Sequence, residues 1–352
     1  MVPAIDAHAV RAERLRRHLL TQPTTDAEAY FALFRLAQPV APIAMTYPGS
    51  PPDLVYRATF DTGEAANTLR ADRTLVKGRF RDGGVGYVLA DDLELYATAF
   101  RKPMKSLNEL QQSVHDAIAG AGLLTPRQIA EATGELNKKV MPALHRLQTA
   151  FLVYEDQPDN DWERGWYVFE DEWPDVNLGR RTQEEAAADV IARFLQAHVF
   201  ATAEQIKGRT AFAKRLIDRV MADMEAVGRA RAVEVEGMGA GWMLPGDLPE
   251  PQPGDARSTF MLHKSDPLVQ SHVSELKRRY AGLEALQYLL IDGEFQGAAL
   301  GHWRIGPHDV DDIVLELPAA ERENRREEIL AAVADVYRPP NHNILKYAGA
   351  DI

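Results

Sequence analysis

The 352-residue chain contains no cysteine. That excludes disulfides, thiolate zinc sites and cysteine nucleophiles. No stretch approaches the ~20 apolar residues that span a bilayer. The N-terminus has no apolar core ahead of a small-residue cleavage site, so a soluble cytoplasmic protein is expected. Positive charge is also short: 40 Lys and Arg stand against 52 Asp and Glu, a net charge of -12. Phosphate neutralisation supplies most non-specific affinity for nucleic acid, so this total argues against such a partner. The distribution argues the other way. Residues 1–105 carry 14 basic against 12 acidic side chains, and the acidic excess lies wholly beyond them. Basic residues cluster there at Arg11, Arg14, Arg16, Arg17 and His18, at Arg70, Arg73, Lys77, Arg79 and Arg81, and at Arg101, Lys102 and Lys105.

The chain holds three similar stretches, each running helix, helix, strand, turn, strand. The strand pairs are Thr74 to Phe80 with Gly86 to Leu89, Phe151 to Glu155 with Gly165 to Phe169, and Ala230 to Val235 with Gly241 to Leu244. Successive copies lie about 75–80 residues apart, the size of a small domain. Helices followed by a two-stranded wing describe a winged helix, a helix-turn-helix variant. The expected fold is α+β: three tandem winged-helix modules at 1–105, 106–178 and 179–248, then a small β-rich, barrel-like domain at 255–352 with a C-terminal helix. Pro245 to Gly254, with four prolines, reads as the linker between them.

Local signals fill in this frame. Residues 6–20 read as a basic amphipathic helix, and Thr25-Asp26 caps a second helix to about Leu36. The Pro/Gly-dense run from Gln38 to Pro52 must be loop. Residues 53–72 read as mostly helical. Ser106-Leu-Asn-Glu109 has capping-box spacing. In the second module a helix over 136–149 puts Val140, Leu144 and Leu147 on one face, leaving Lys138, Lys139, His145 and Arg146 to the other, as a recognition helix would. Its counterpart over 211–227 carries Asp218, Asp223 and Glu225, which makes the third module the poorer phosphate partner. In the last domain Asp292-Gly293 signals a hairpin.

Several segments, in order along the chain, resemble the winged-helix DNA-binding family that includes the AlkZ-like and YcaQ-like bacterial DNA glycosylases. They are Arg11 to Pro23, Leu75 to Val88 with Ala90-Asp-Asp-Leu93, Phe260 to Pro267 ending in Asp-Pro, and Asp292 to Gly301. The resemblance implies a cradle of winged helices and a β domain acting on double-stranded DNA, damaged duplex included, by monofunctional N-glycosidic hydrolysis. It also implies a Gln-x-Gln motif after the second helix, matched here by Leu36-Ala37-Gln38. Gln38 is therefore the catalytic candidate, to orient a water toward the anomeric carbon, with Asp53, Asp61 or Asp82 as companion carboxylates. Leu36 stands where the family has its first glutamine and has no hydrogen-bonding group. Gly83-Gly84-Val85-Gly86 stands where the family carries Gly-Thr-x-His. Arg14, Arg17, Arg73, Lys77, Arg79, Arg81, Lys138 and Lys139 are the DNA-binding candidates.

Other readings rank lower. A DNA binder without excision, a protein-interaction scaffold and a small-molecule-binding protein are the alternatives. His302, His308, Asp309, Asp311 and Asp312 lie close in sequence but fit no standard metal spacing. No metal or cofactor is expected. Trp162, Trp166, Trp173 and Trp242 could stack on bases but suit packing of the wings better.

Overall fold

The computed structural model describes residues 5–43, 50–156, 164–247, 257–304, 306–338 and 340–352. The first unit holds α1 (Ala7–Arg17), α2 (Ala27–Ala37), α3 (Thr62–Ala71), the antiparallel hairpin β1 (Leu75–Arg79) and β2 (Val85–Leu89), and α4 (Leu93–Phe100). The second holds α5 (Glu109–Ala121), α6 (Pro126–Thr133), α7 (Asn137–Thr149), the hairpin β3 (Val153–Asp156) and β4 (Gly165–Val168), and the short α8 (Phe169–Glu172). The third holds α9 (Gln183–His198), β5 (Phe200–Ala201), α10 (Ala203–Thr210), α11 (Lys214–Ala226) and the hairpin β6 (Arg231–Val235) and β7 (Gly239–Met243). The last unit holds β8 (Thr259–Leu262), α12 (Pro267–Ser271), α13 (Val273–Arg279), β9 (Ala285–Ile291), β10 (Glu294–Leu300), β11 (Asp312–Leu315), α14 (Ala319–Asn324), α15 (Arg326–Val336), β12 (Lys346–Tyr347) and β13 (Ala350–Asp351).

Several expected boundaries move for local reasons. The helix expected over 53–72 begins only at Thr62, because the Asp61 side chain accepts from the Glu64 amide and caps it there. The capping box falls on Asn108 and Gln111, two residues beyond the expected site. The final helix is split at Arg325, whose buried guanidinium is drawn to Asp292 and Glu328. Pro142 sits inside α7 without breaking it. The tips of the Pro-rich loop (44–49), the second hairpin with Trp162 (157–163), and most of the linker (248–256) lie outside the described residues.

The last sheet runs β13-β12-β11-β10-β9-β8. The domain is β-rich as expected, and among the described residues no pairing joins the two edges of this sheet. Strand β9 is buried along its whole length. Successive side chains point to opposite faces, and both faces are covered. Leu289 and Ile291 pack with Ile329 and Val333 of α15, while Tyr288 and Leu290 pack with Leu276 of α13 and with Leu15 and Leu20 from the start of the chain. The first three units share one aromatic core. Phe80 meets Phe151 and Phe100, Phe151 meets Phe169, and Phe100 meets Phe212 with ring centres 4.9 Å apart. Such burial contributes roughly 1.5–3 kcal/mol for each large side chain.

Close approach also joins the third unit to the last. A Cβ on Gly208 of α10 would lie 2.6 Å from the Ser271 carbonyl oxygen, so only glycine lets α10 and α12 pack this tightly. Beside this contact, Arg57 and Asp266 are both buried and pair at 2.6 Å. Removing one partner strands the other. Asp266→Ala is expected to destabilise the fold by about 3–5 kcal/mol in urea unfolding, more than any exposed ion pair here would.

Enclosed histidines make stability depend on pH. His18 and His198 are buried, and His272 lies at the same junction, with ring centres 6.2 Å from His18 to His198 and 5.8 Å from His198 to His272. Burial first, then Arg57 for His18 and Arg14 for His198 and His272, holds all three below the ordinary imidazole value, His272 at about 4. The unfolded chain would take up these protons at about 6.5. Below that value it binds more protons than the folded chain, so stability falls as pH falls toward the folded values. The Tm should drop between pH 7 and pH 5, and His198→Phe should flatten the drop.

Candidate nucleic-acid interface

Gln38 closes α2 and is 2% exposed. Its Oε1 accepts from the Leu89 amide at 2.9 Å, and its Nε2 donates to Asp92 Oδ2 at 2.7 Å. The side chain thereby ties the end of α2 to the end of the first hairpin and the turn into α4. Asp92 is itself buried and takes Arg193 at 2.8 Å and Arg35 at 3.2 Å. Arg209, buried on α10, donates to the Ala37 and Pro39 carbonyls on either side of Gln38 and to Gln270. These carbonyls have no partner within α2, and a cation at a helix C-terminus is favoured by the helix dipole. Gln38 is therefore one member of a closed polar network, with both ends of its amide engaged. Asp92 and Arg193, the core of that network, were not singled out in the sequence. The only signal was the Ala90-Asp-Asp-Leu93 match.

The companion carboxylates lie apart from it. Asp53 accepts from Tyr30 and Thr62, Asp61 caps α3, and Asp82 is exposed in the first hairpin turn. Leu36 lines an open groove of about 690 Å³ with Leu19, Leu33 and Pro245.

Most side chains expected to line a phosphate-facing groove are turned to internal partners instead. Arg14 is 4% exposed and donates to the His198 and Phe200 carbonyls at the end of α9. Arg17 pairs with Glu13 and Asp247, and Arg73 with Asp156 and Glu172. Lys77 is buried against Glu155 at 3.0 Å, and Arg164 reaches the same carboxylate at 2.6 Å. Burial alone would raise Glu155, but these two cations overcome it and hold its carboxyl below the ordinary value. Arg79 donates to Gln148 and to the Gly83 carbonyl, and Arg81 to the Gly208 carbonyl. The first hairpin's basic residues thus fasten it to the second and third units. The physical reason is burial: a charge removed from water needs a partner.

The free cations lie elsewhere. Among the described residues, Lys138 and Arg146 on α7, Lys102 after α4, and Arg215 on α11 are exposed and carry no ion pair, and the same holds for Lys105, Arg127, Lys207, Lys264, Lys277, Arg304 and Lys346. Lys139 pairs with Glu135 just ahead of its own helix. The Lys102 amide donates to the Thr149 carbonyl at the end of α7. Arg101, Lys102, Arg215 and Arg219 then share a cavity of about 430 Å³ with Asp82 and Glu184. A basic band thereby runs from α7, past the first hairpin, to α11.

Helix ends sharpen the contrast. In the second and third units, α5, α6, α9 and α10 all begin with a capping box. The third helices do not. Leu136 before α7 and Ala213 before α11 provide no side-chain cap, and Lys138-Lys139 and Lys214-Arg215 follow directly. Cations at a helix N-terminus oppose its dipole. The third helix of the first unit is the reverse case, opened by Asp61 and Glu64. The tryptophans are mostly used in packing: Trp166 is fully buried, and Trp242 Nε1 donates to Glu225. His302 pairs with Glu284, and Asp309 accepts from Asn343.

Fold and surface together define a mixed α+β protein of successive helix–hairpin units followed by a β-rich domain. A family model described as AlkZ-like DNA glycosylase matches residues 54–338, and the chain belongs to that family. Its fold is similar to that of the DNA glycosylase AlkZ of Streptomyces sahachiroi, with a TM-score of 0.68 at 18% identity, over 98% of this chain and 99% of that one. No curated protein matches the sequence. Among the described residues no helix is long and apolar enough to cross a membrane.

Replacing Gln38 removes a buried acceptor and a buried donor at once. Gln38→Ala should cost about 1–3 kcal/mol or more, since the Leu89 amide is left unsatisfied. Thermal unfolding would register this, and an unchanged Tm would remove Gln38 from the network's supporting role.

Proposed function

We propose that this chain binds double-stranded DNA as a member of the glycosylase family, through the third helices of its second and third modules. In this reading the modules are winged helices at 1–105, 106–178 and 179–248, joined to a C-terminal domain at 255–352. The observation that carries the proposal is the pair of exposed, uncapped ends of α7 and α11, each followed by two cations. A helix-turn-helix reader enters the major groove with the N-terminal part of its recognition helix, and phosphates bind well at free backbone amides there. Lys102, Arg146 and Arg215 are further exposed cations without an ion pair, Arg146 and Lys102 at the other end of α7 and Arg215 in the first turn of α11. Most basic side chains of the first module, Arg14, Arg17, Arg73, Lys77, Arg79 and Arg81 among them, serve the internal joints, so the DNA-facing role passes to Lys138 and to its neighbours on the later modules, with Lys102 beside them.

Gln38 acts in this reading as a positioning residue. Its amide is committed to Leu89 and Asp92, and Leu36 adds no polar group beside it. The second reading, base excision through Gln38, is supported by the position this residue shares with the family's motif. The two are separable. Alkylated-base release by the wild type, abolished in Gln38→Asn at retained Tm, would establish excision through Gln38. Binding without release would favour the binding role.

DNA binding is tested by salt dependence. Every phosphate that a protein neutralises adds about 0.9 to the steepness with which log K falls against log salt. Lys138→Ala and Arg215→Ala should each weaken binding to a random duplex and make that dependence shallower by about 1. Arg73→Ala should lower stability and leave the slope alone. A slope unchanged in both surface variants would remove the third helices from the interface.

A further inference from the structure

A cavity of about 420 Å³ lies between α1, the start of α10, and the α12–α13 and β10 edges of the last unit. It is separate from the basic band and from the Gln38 network. That volume is within the range of small-molecule sites. Three of its arginines are neutralised where they stand. Arg11 pairs with Glu294, Arg278 with Glu204 at 2.5 Å, and Arg279 with Glu275 at 3.2 Å and Glu316 at 2.8 Å.

Arg14 differs. It is the most enclosed of the four, and no carboxylate pairs with it among the described residues. Its Nε and Nη2 are used on the His198 and Phe200 carbonyls, while Nη1 has no hydrogen-bond partner there. The side chain lines the cavity, so Nη1 is the donor left to reach it. Burial and the nearby Arg11 guanidinium together pull Arg14 down to about 9, the mark of a cation lacking a counter-charge. Charged groups this deep are ordinarily paired.

The remaining walls are mixed: the Glu204 and Glu275 carboxylates are held by Arg278 and Arg279, and neutral polar groups lie beside them. Thr202 caps α10 through the Gln205 amide, leaving the other first-turn backbone amides of an eight-residue helix at the cavity mouth. Gln205 Nε2 sits 2.9 Å from His272 Nε2, and His272 Nδ1 sits 2.9 Å from the Leu268 carbonyl. That arrangement requires a neutral ring protonated at Nδ1. The histidine is thus a polar neutral wall and adds no charge of its own.

We propose that this cavity binds a small oxyanion, a phosphate or carboxylate group, which meets the Arg14 guanidinium and exchanges with Glu294 for Arg11. The bound group supplies the counter-charge that Arg14 lacks. Glu294 then becomes a gate: its carboxylate competes with the ligand for Arg11, and its removal frees that cation.

The test is isothermal titration calorimetry of the full chain with inorganic phosphate, 2′-deoxyadenosine 5′-monophosphate and acetate. Arg14 supports the end of α9, so its replacement risks unfolding, and the decisive variants are Arg11→Gln and Glu294→Gln, each checked by Tm. Saturable binding is expected with at least one of the three anions. Phosphate and the nucleotide without acetate would assign phosphate, and acetate alone would assign carboxylate. Arg11→Gln should weaken binding about tenfold or more, and Glu294→Gln should strengthen it several-fold, as removal of one attracting or one competing charge requires. Absence of saturable binding by all three at ~10 mM, a concentration where even millimolar sites fill, would overturn the proposal. So would affinities that neither variant changes.

Discussion

A guanidinium or ammonium taken out of water must find a carboxylate or a carbonyl, and this chain places that demand on its first 105 residues. Arg14, Arg57 and Lys77 are buried there. Their partners come from the third unit, the last unit and the second unit: the His198 and Phe200 carbonyls, Asp266 and Glu155. The acidic excess of the later sequence is in part the complement of this buried positive charge. Relative placement of the four units rests on these joints as much as on the shared aromatic core. Hydrophobic burial is non-directional, whereas a two-point contact such as Arg57 on Asp266 accepts one geometry.

The large elements were legible in the sequence because their signals are local. Asp292-Gly293 marked the turn between β9 and β10, and the hydrophobic spacing of Val140, Leu144 and Leu147 marked the buried face of α7. Helix α3 was overextended because residues before Asp61 have helical composition and no local breaker. Charge was the harder quantity. Arg73, Lys77, Arg79 and Arg81 lie in one run and look like a surface stripe, but their partners sit roughly 70–130 residues away in the chain. No local pattern reports such a pairing. The same limit hid Asp92, whose meaning depends on Gln38, Arg35 and Arg193 arriving around it.

Helix ends differ across the molecule. The first two helices of each of the first three units satisfy their first amides with a side-chain cap, at a gain of about 1 kcal/mol each. Helices α7 and α11 forgo that gain and carry cations where acids would be favoured. Natural sequences are locally consistent except at functional or strained sites. Both are the third helix of their unit, although α4, α8, α13, α14 and α15 also lack a side-chain cap. Within α11 the later acidic residues do not alter this, because Asp218 is paired with Lys214 and the free Arg215 stands ahead of it.

Helix α1 precedes the other units in the chain, yet its contacts are with the third and the last of them. Ile5 bridges to Val235, Arg14 holds the end of α9, and Leu15 and Leu20 enter the core beneath β9 and β10. During synthesis the opening segment therefore cannot complete its docking until β10 has been made. The second unit has a core of its own besides its share of the common one, and that core can form before then. Non-local closure of this kind is slow, and it leaves an apolar, arginine-rich helix exposed meanwhile.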